Sequence, residues 1–233
     1  MWGREVDGKI LSFHLAGINN ENFLMRDAET GSYWQQVSGK AISGPLKGKQ
    51  LAFVHWDEIS FEIWADENPR GTVLAPVGKY QDQYAAKDWE SKMKKRPSII
   101  DTTKTGLAPR ELIIGIATPS GDRAYKYEKL ITQKLVQDNV GGEAILLVVG
   151  LDGRSVRGFF AGVPGLSKTS DYYRKEELGG GLFVDSETAT EWNFEGCALS
   201  GELKGSCLAP LRIVKDYWFD WQRYHPQTTV AAH

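Results

Sequence analysis

Residues 27–51 read DAETGSYWQQVSGKAISGPLKGKQL, and residues 185–208 read DSETATEWNFEGCALSGELKGSCL. In the ungapped core, GKAISGPLKG (39–48) against GCALSGELKG (196–205), seven of ten positions are identical. A second match, FEIWADENPRGTV (61–73) against WFDWQRYHPQTTV (218–230), sets Trp64 over Trp221 and Pro69 over Pro226 at the same offset of 157 residues. Constant register over two separated blocks argues for an internal duplication. The short apolar runs broken by Gly, Pro, Asn and Asp are those of strands and turns. The fold class expected is mainly β (α+β): two pseudo-symmetric β-rich units, each ending in a short helix.

Around these blocks, REVDGKILSF (4–13) has a hairpin signal at Asp7-Gly8, FLMRD (23–27) and SYWQQV (32–37) are strands, and AISGPLKGKQLAFV (41–54) reads as two more. A helix over 57–68 follows, with Asp57 as cap and Pro69 as stop, and its counterpart covers 215–226. In the second unit RELIIGI (110–116) and the central AILLVVGL (144–151) are strands, with a short helix near 127–134. The domain boundaries expected are a first repeat unit at 1–74, a connector at 75–109 with one charged helix near 82–95, and a second unit at 110–233. The second unit has about 45 residues (110–154) ahead of its matching part, and the first has nothing comparable after Met1, so unit one is expected to lack its first half.

A chain of 233 residues with net charge −2 has the composition of an ordinary globular protein, and its balance excludes a general nucleic-acid binder. Its longest apolar stretch is too short for a transmembrane helix, and no apolar signal segment follows Met1. Cys197 and Cys207 are expected to be free, buried thiols. Catalytic signatures fail in turn. GPLKGKQ (44–50) lacks the spacing and the Ser/Thr of a phosphate loop, and its recurrence as GELKGSC marks a structural turn. Zincin, nucleophile-elbow and paired C-x-x-C motifs are absent.

Trp34 and Trp192 read as core residues, and the recurring Asp27/Asp185 and Glu29/Glu187 as turn and strand caps. The HLAGINNEN loop (14–22) has no match in the second unit, and residues outside the shared scaffold are where function departs from fold. Its His14 is the candidate metal ligand or general base. Asn19, Asn20, Arg26, Gln35 and Gln36 are the ligand-binding candidates around it; Gln35 and Gln36 stand where the second unit has Asn193 and Phe194.

REVDGKILSFHLAGINNENF (4–23), MRDAETGSYWQQVSGKAISGPLKG (25–48), DTTKTGLAPRELIIGI (101–116), DNVGGEAI (138–145) and YWFDWQRYHPQTTV (217–230) resemble the bacterial family grouped as domain of unknown function 3179. That resemblance implies an exported or lipid-anchored protein, periplasmic or secreted, built from two related β-rich halves with no established activity. Members carry a CP-x-C-like stretch ahead of the VDG hairpin, which would precede Met1 here, and VVGLDG (148–153) has no cysteine. The function expected is therefore a β-rich binding or scaffolding protein, probed for a protein partner or a small-molecule ligand. The alternative is a metal-dependent enzyme or metalloprotein centred on His14. No particular cofactor is implied.

Overall fold

A computed structural model describes residues 1–232 except 101, 103–105, 167 and 176–180. The chain is mainly β, with several antiparallel sheets and few short helices. In order, β1 (Glu5–Val6), β2 (Lys9–Ile10), β3 (Phe13–Asn19), β4 (Asn22–Asp27), β5 (Tyr33–Gln35) and β6 (Ala41–Ser43) lead to α1 (Phe61–Glu67) and α2 (Trp89–Lys94). Then come β7 (Leu112–Thr118), β8 (Gly121–Lys126), α3 (Tyr127–Gln133), β9 (Leu135–Val140), β10 (Glu143–Val149), β11 (Val156–Phe160) and β12 (Tyr172–Arg174). The chain closes with β13 (Phe183–Asp185), β14 (Glu191–Trp192), β15 (Pro210–Leu211), β16 (Ile213–Tyr217), α4 (Trp218–Tyr224) and β17 (Thr229–Val230).

Two compact units form. The first comprises Met1–Asp57, Ser98–Pro109 and Tyr217–Pro226; the second comprises Glu58–Pro97, Arg110–Asp216 and Gln227–His233. The terminal helices thus change places relative to the sequence. α1, which follows the first matched block, packs in the second unit, and α4 packs in the first. Residues 101 and 103–105 of the expected connector lie outside the described residues.

The first unit holds the hairpin β1–β2, whose Asp7 (φ 50) and Gly8 (φ 76) form the expected primed turn, and a sheet ordered β3-β4-β5-β6. Its core is Val6, Leu11, Trp34, Ala41 and Leu51, with Phe13, Met25 and Leu46 packed against it. Of the two strands expected over 41–54, the first is β6, and the second is reduced to isolated bridges, Gln50 to Lys40 and Phe53 to Trp2. The Gly-Pro and Lys-Gly turns leave too little extended chain between them for a ladder.

The second unit carries three sheets, β15-β11-β10-β9, β16-β7-β8-β17 and β12-β13-β14. Residues 144–149 of the run AILLVVGL lie in the interior strand β10, buried on both faces from Ile145 to Val149. α1 is capped by Ser60, not by Asp57: the Ser60 hydroxyl accepts from the Ile63 amide at 3.3 Å. Glu67 of α1 forms a bidentate pair with Arg157 at 2.5 and 2.9 Å, and the Arg157 guanidinium lies 4.6 Å from the Phe194 ring centroid. The long charged helix expected over 82–95 is a 3-10 segment, Gly78–Gln83, followed by the shorter α2.

The matched sequences build the same local hydrogen bonds. Asp27 is fully buried, and its carboxylate accepts from the Trp34 indole at 2.8 Å, the Thr30 amide at 2.5 Å and the Thr30 hydroxyl at 2.8 Å. Asp185 is 1% exposed and accepts from the Trp192 indole at 2.9 Å, the Thr188 amide at 2.7 Å and the Thr188 hydroxyl at 2.9 Å. Burial by itself raises both carboxyls, but the donors outweigh it and hold each below the usual carboxylate value. Each aspartate is thus a turn cap that also anchors a core tryptophan.

The expectation of free, buried thiols is overturned. Cys197 and Cys207 are joined as a disulfide. They face each other across an antiparallel bridge, the position that Lys40 and Gln50 occupy in the first unit, so the turn between them brings the two β-carbons into bonding reach.

Candidate functional site

The unmatched HLAGINNEN segment is not an irregular loop. It is β3 and the turn into β4, paired Phe13 to Asp27, His14 to Arg26 and Leu15 to Met25, then Gly17 to Leu24, Ile18 to Phe23 and Asn19 to Asn22. Asn20 (φ 52) and Glu21 (φ 63) make a two-residue turn of the primed kind that matches strand twist. A bulge lies between Leu15 and Gly17.

One face of this ribbon is polar and held. Asn22 donates to the Asp220 carboxylate of α4 at 2.6 Å. Glu21 accepts from the Ser98 hydroxyl at 2.8 Å and the Ile99 amide at 2.7 Å. The Tyr224 hydroxyl is buried beside Asn20 and Gln35; burial raises its pKa, and the two side chains act against that rise without reaching full hydrogen-bond geometry. α4 is itself fixed by the buried Trp218, Phe219 and Trp221 and by the Phe219 amide on the Pro109 carbonyl at 2.9 Å.

The other face is apolar and open. Leu15, Ile18 and Phe23 are 63%, 71% and 53% exposed, and Ile18 sits directly across from Phe23. Alternation along the strand aims them to the side of Trp34 and Met25, but the ribbon outruns that core.

The structure gathers part of the expected set. Asn20 and Gln35 meet at Tyr224, and Asn19 pairs with Asn22 at the turn. Gln35 also accepts from the Ser38 hydroxyl at 2.7 Å. Arg26 donates to the Gly31 carbonyl at 3.2 Å and lies over Tyr33. Gln36 is exposed, and its backbone carbonyl accepts from the Trp2 indole at 2.7 Å. His14 is exposed on β3 opposite Arg26. Among the described residues no three His, Cys, Asp or Glu side chains are grouped to hold a metal. Glu21, Asp220 and Tyr224 were not marked by the sequence, because Glu21 meets Ser98 at a separation of 77 residues and Asn22 meets Asp220 of α4 at 198, and nothing local marks such contacts. Leu15, Ile18 and Phe23 escaped because alternating apolar residues read as core.

The buried polar groups of the second unit are internally satisfied. Asp138 accepts from Arg123 at 2.7 Å and from the Tyr125 hydroxyl at 2.8 Å, and burial with that carboxylate pushes the Tyr125 phenol far up. Asp152 accepts from the Ser155 hydroxyl at 2.6 Å; burial opposes its ionisation, but this and further donors bring it down to about 2. Neither group is positioned as an acid, base or nucleophile near pH 7.

A family profile described as "Protein of unknown function (DUF3179)" matches residues 1–228. The chain belongs to the DUF3179 family. No curated protein and no solved structure matches it. No helix among the described residues is long and apolar enough to cross a membrane.

Proposed function

We propose that this DUF3179 chain is a non-enzymatic binding or scaffolding protein that works outside the cytoplasm and contacts a protein partner through the β3–β4 ribbon. The observation that carries the reading is the ribbon's two-sidedness. One face is held by Asn22 on Asp220 of α4 and by Glu21 on Ser98 and Ile99, while the other presents Leu15, Ile18 and Phe23. A rigidly backed apolar patch loses little conformational entropy on binding. The Cys197–Cys207 bond supports an oxidising compartment. The matched sequences and the twin aspartate networks support reading the two units as copies of one ancestral fold.

Metal analysis of the purified protein, with His14→Ala alongside, tests the reading against its competitor. Metal-free protein whose stability ignores His14→Ala is the expected result. Stoichiometric copper, zinc or iron lost on His14→Ala would replace the binding role with a metal centre. A photo-crosslinking benzoylphenylalanine at position 18 should yield a protein adduct, and the same group at exposed position 92 should not.

A further inference from the structure

A disulfide that staples a fold and one that trades electrons differ in two respects: whether the fold needs the bond, and whether an attacking sulfur can reach it. The chain builds the same turn twice, once with the bond and once without. In the second unit the Ala198 amide donates to the Ser206 carbonyl and the Leu208 amide to the Gly196 carbonyl, each at 2.9 Å, and Gly205 closes the turn on Ala198 at 3.0 Å. Ala198 and Leu208 anchor its two arms in the core with Phe159 and Trp192.

In the first unit the equivalent bonds run from Ala41 to the Lys49 carbonyl at 2.9 Å, from Leu51 to the Gly39 carbonyl at 3.0 Å and from Gly48 to the Ala41 carbonyl at 2.9 Å. Ala41 and Leu51 are its core anchors. Lys40 and Gln50 hold the bridge positions there, with the Gln50 carboxamide donating to the Ser38 carbonyl at 2.6 Å. Main-chain bonds and core anchors therefore shape this turn without a covalent tie. The bond of the second unit is also within reach. Cys207 is exposed, whereas Cys197 is half-buried between the buried Gly196 and Ala198. The flanking bonds make the two cysteines a non-hydrogen-bonded pair with Cα atoms 4.0 Å apart. A turn that keeps its shape on reduction keeps both thiols side by side, so re-closure is intramolecular.

We infer that Cys197–Cys207 is a thiol-exchange site, opened and re-formed in the folded protein by an external dithiol, with the mixed disulfide at Cys207. The attacking thiolate forms a bond to the exposed Cys207 Sγ; the Cys197–Cys207 bond breaks, and Cys197 Sγ leaves with the electron pair and takes up a proton. The second thiolate of the reductant then attacks its own sulfur in the mixed disulfide and releases Cys207, which is protonated in turn. Two electrons and two protons pass from the dithiol to the cysteine pair, and the dithiol departs as its internal disulfide. A monothiol stalls at the first step, because Cys197 is held next to Cys207 and expels it. This role belongs to the second unit and does not depend on the β3–β4 ribbon.

The test uses the whole chain. Dithiothreitol without denaturant should release both thiols, counted by alkylation and mass spectrometry, at a rate that does not change with urea below the unfolding transition. The far-UV spectrum should be retained, and dithiothreitol should act at least about tenfold faster than glutathione at matched thiol concentration. In reduced single variants, the thiol left by Cys197→Ser should react with an aromatic disulfide reagent about tenfold faster than the thiol left by Cys207→Ser. Reduction whose rate climbs with urea in step with global unfolding, or that collapses the far-UV spectrum, overturns the inference and makes the bond a staple. So do equal rates with dithiothreitol and glutathione, and equal or reversed reactivity of the two variants. Where a variant fails to fold, the native chain supplies the answer. Lys204 lies between the cysteines, so tryptic peptides of the alkylated glutathione adduct separate them. Glutathione on Cys207 agrees with the inference, and glutathione on Cys197 refutes it.

Discussion

Replacing Asp27 by Asn changes a carboxylate to an amide of nearly the same shape, so any loss reports hydrogen bonding rather than packing. Asp27 has no exposed surface, and its two oxygens accept from the Trp34 indole, the Thr30 amide and the Thr30 hydroxyl. An asparagine must point its NH2 at one of these donors. Turned towards Trp34, it leaves the indole N–H without an acceptor; turned towards Thr30, it leaves the amide without one. A hydrogen bond to a charged group contributes about 1.5–3 kcal/mol, and a buried group left unsatisfied costs about 1–3 kcal/mol. The expected loss is therefore about 3–5 kcal/mol, read by urea denaturation at pH 7 with hydrogen exchange locating it in the first unit. Asp185→Asn should cost a similar amount in the second unit, because its donors match. The pH dependence has a definite sign. The folded-state pKa of Asp27 lies below the ordinary 3.8, so its contribution is complete above that value and is lost as the pH falls through the folded value. Asp27→Asn should accordingly flatten the acid limb below pH ~4 as well as lower the plateau. A loss under about 1 kcal/mol at pH 7, or a loss at Asp27 with none at Asp185, would refute the argument that these aspartates anchor the tryptophans.

Three further outcomes follow from the same geometry. Replacing Cys197 and Cys207 by Ser together should lower stability by about 2.7 kcal/mol, the loop-closure entropy of a ten-residue separation, measured by calorimetry of the second unit's transition. Arg157→Met should destabilise by about 3–5 kcal/mol by stranding the Glu67 carboxylate, with faster amide exchange in α1, while the Arg157→Met/Glu67→Leu double variant should recover most of that loss. Gly39→Ala should lower the melting temperature of the first unit, because φ is +66 and the added carbon would meet the Trp2 ring at 2.7 Å, whereas Gly48→Ala, also at positive φ but facing open space, should cost less by the same assay.

Much of the fold was legible from patterns that act over a few residues. Asp7-Gly8 needs positive φ at both turn positions, and it closes a hairpin where the sequence places it. The uninterrupted apolar run at 144–151 suits a buried strand, and its residues up to Val149 form the interior strand β10. The same short range limited the rest. Asp57 is a good cap by type, but Ser60, three residues on, is the side chain that reaches the helix amides. The spacing of Cys197 and Cys207 is compatible with free thiols or a bond, and only their cross-strand register decides between them. At the candidate site, Asn20 and Gln35 were marked by their mismatch between the repeats, but Tyr224 and Asp220, which they and Asn22 face, were not.

By itself, the sequence determined the strand-and-turn alphabet, the matched Asp–Thr–Trp blocks and the family, because turn chemistry, alternation and burial of large aromatics are set by neighbours within a few positions. Only the tertiary structure decided that α1 packs in the second unit and α4 in the first, that the cysteines face each other, and that the HLAGINNEN segment is a ribbon with one face held and one face bare. The physical reason is common to all three. Each depends on which surfaces meet across long chain separations, and a strand pattern states that a side chain points to one face without stating whether anything lies beyond it.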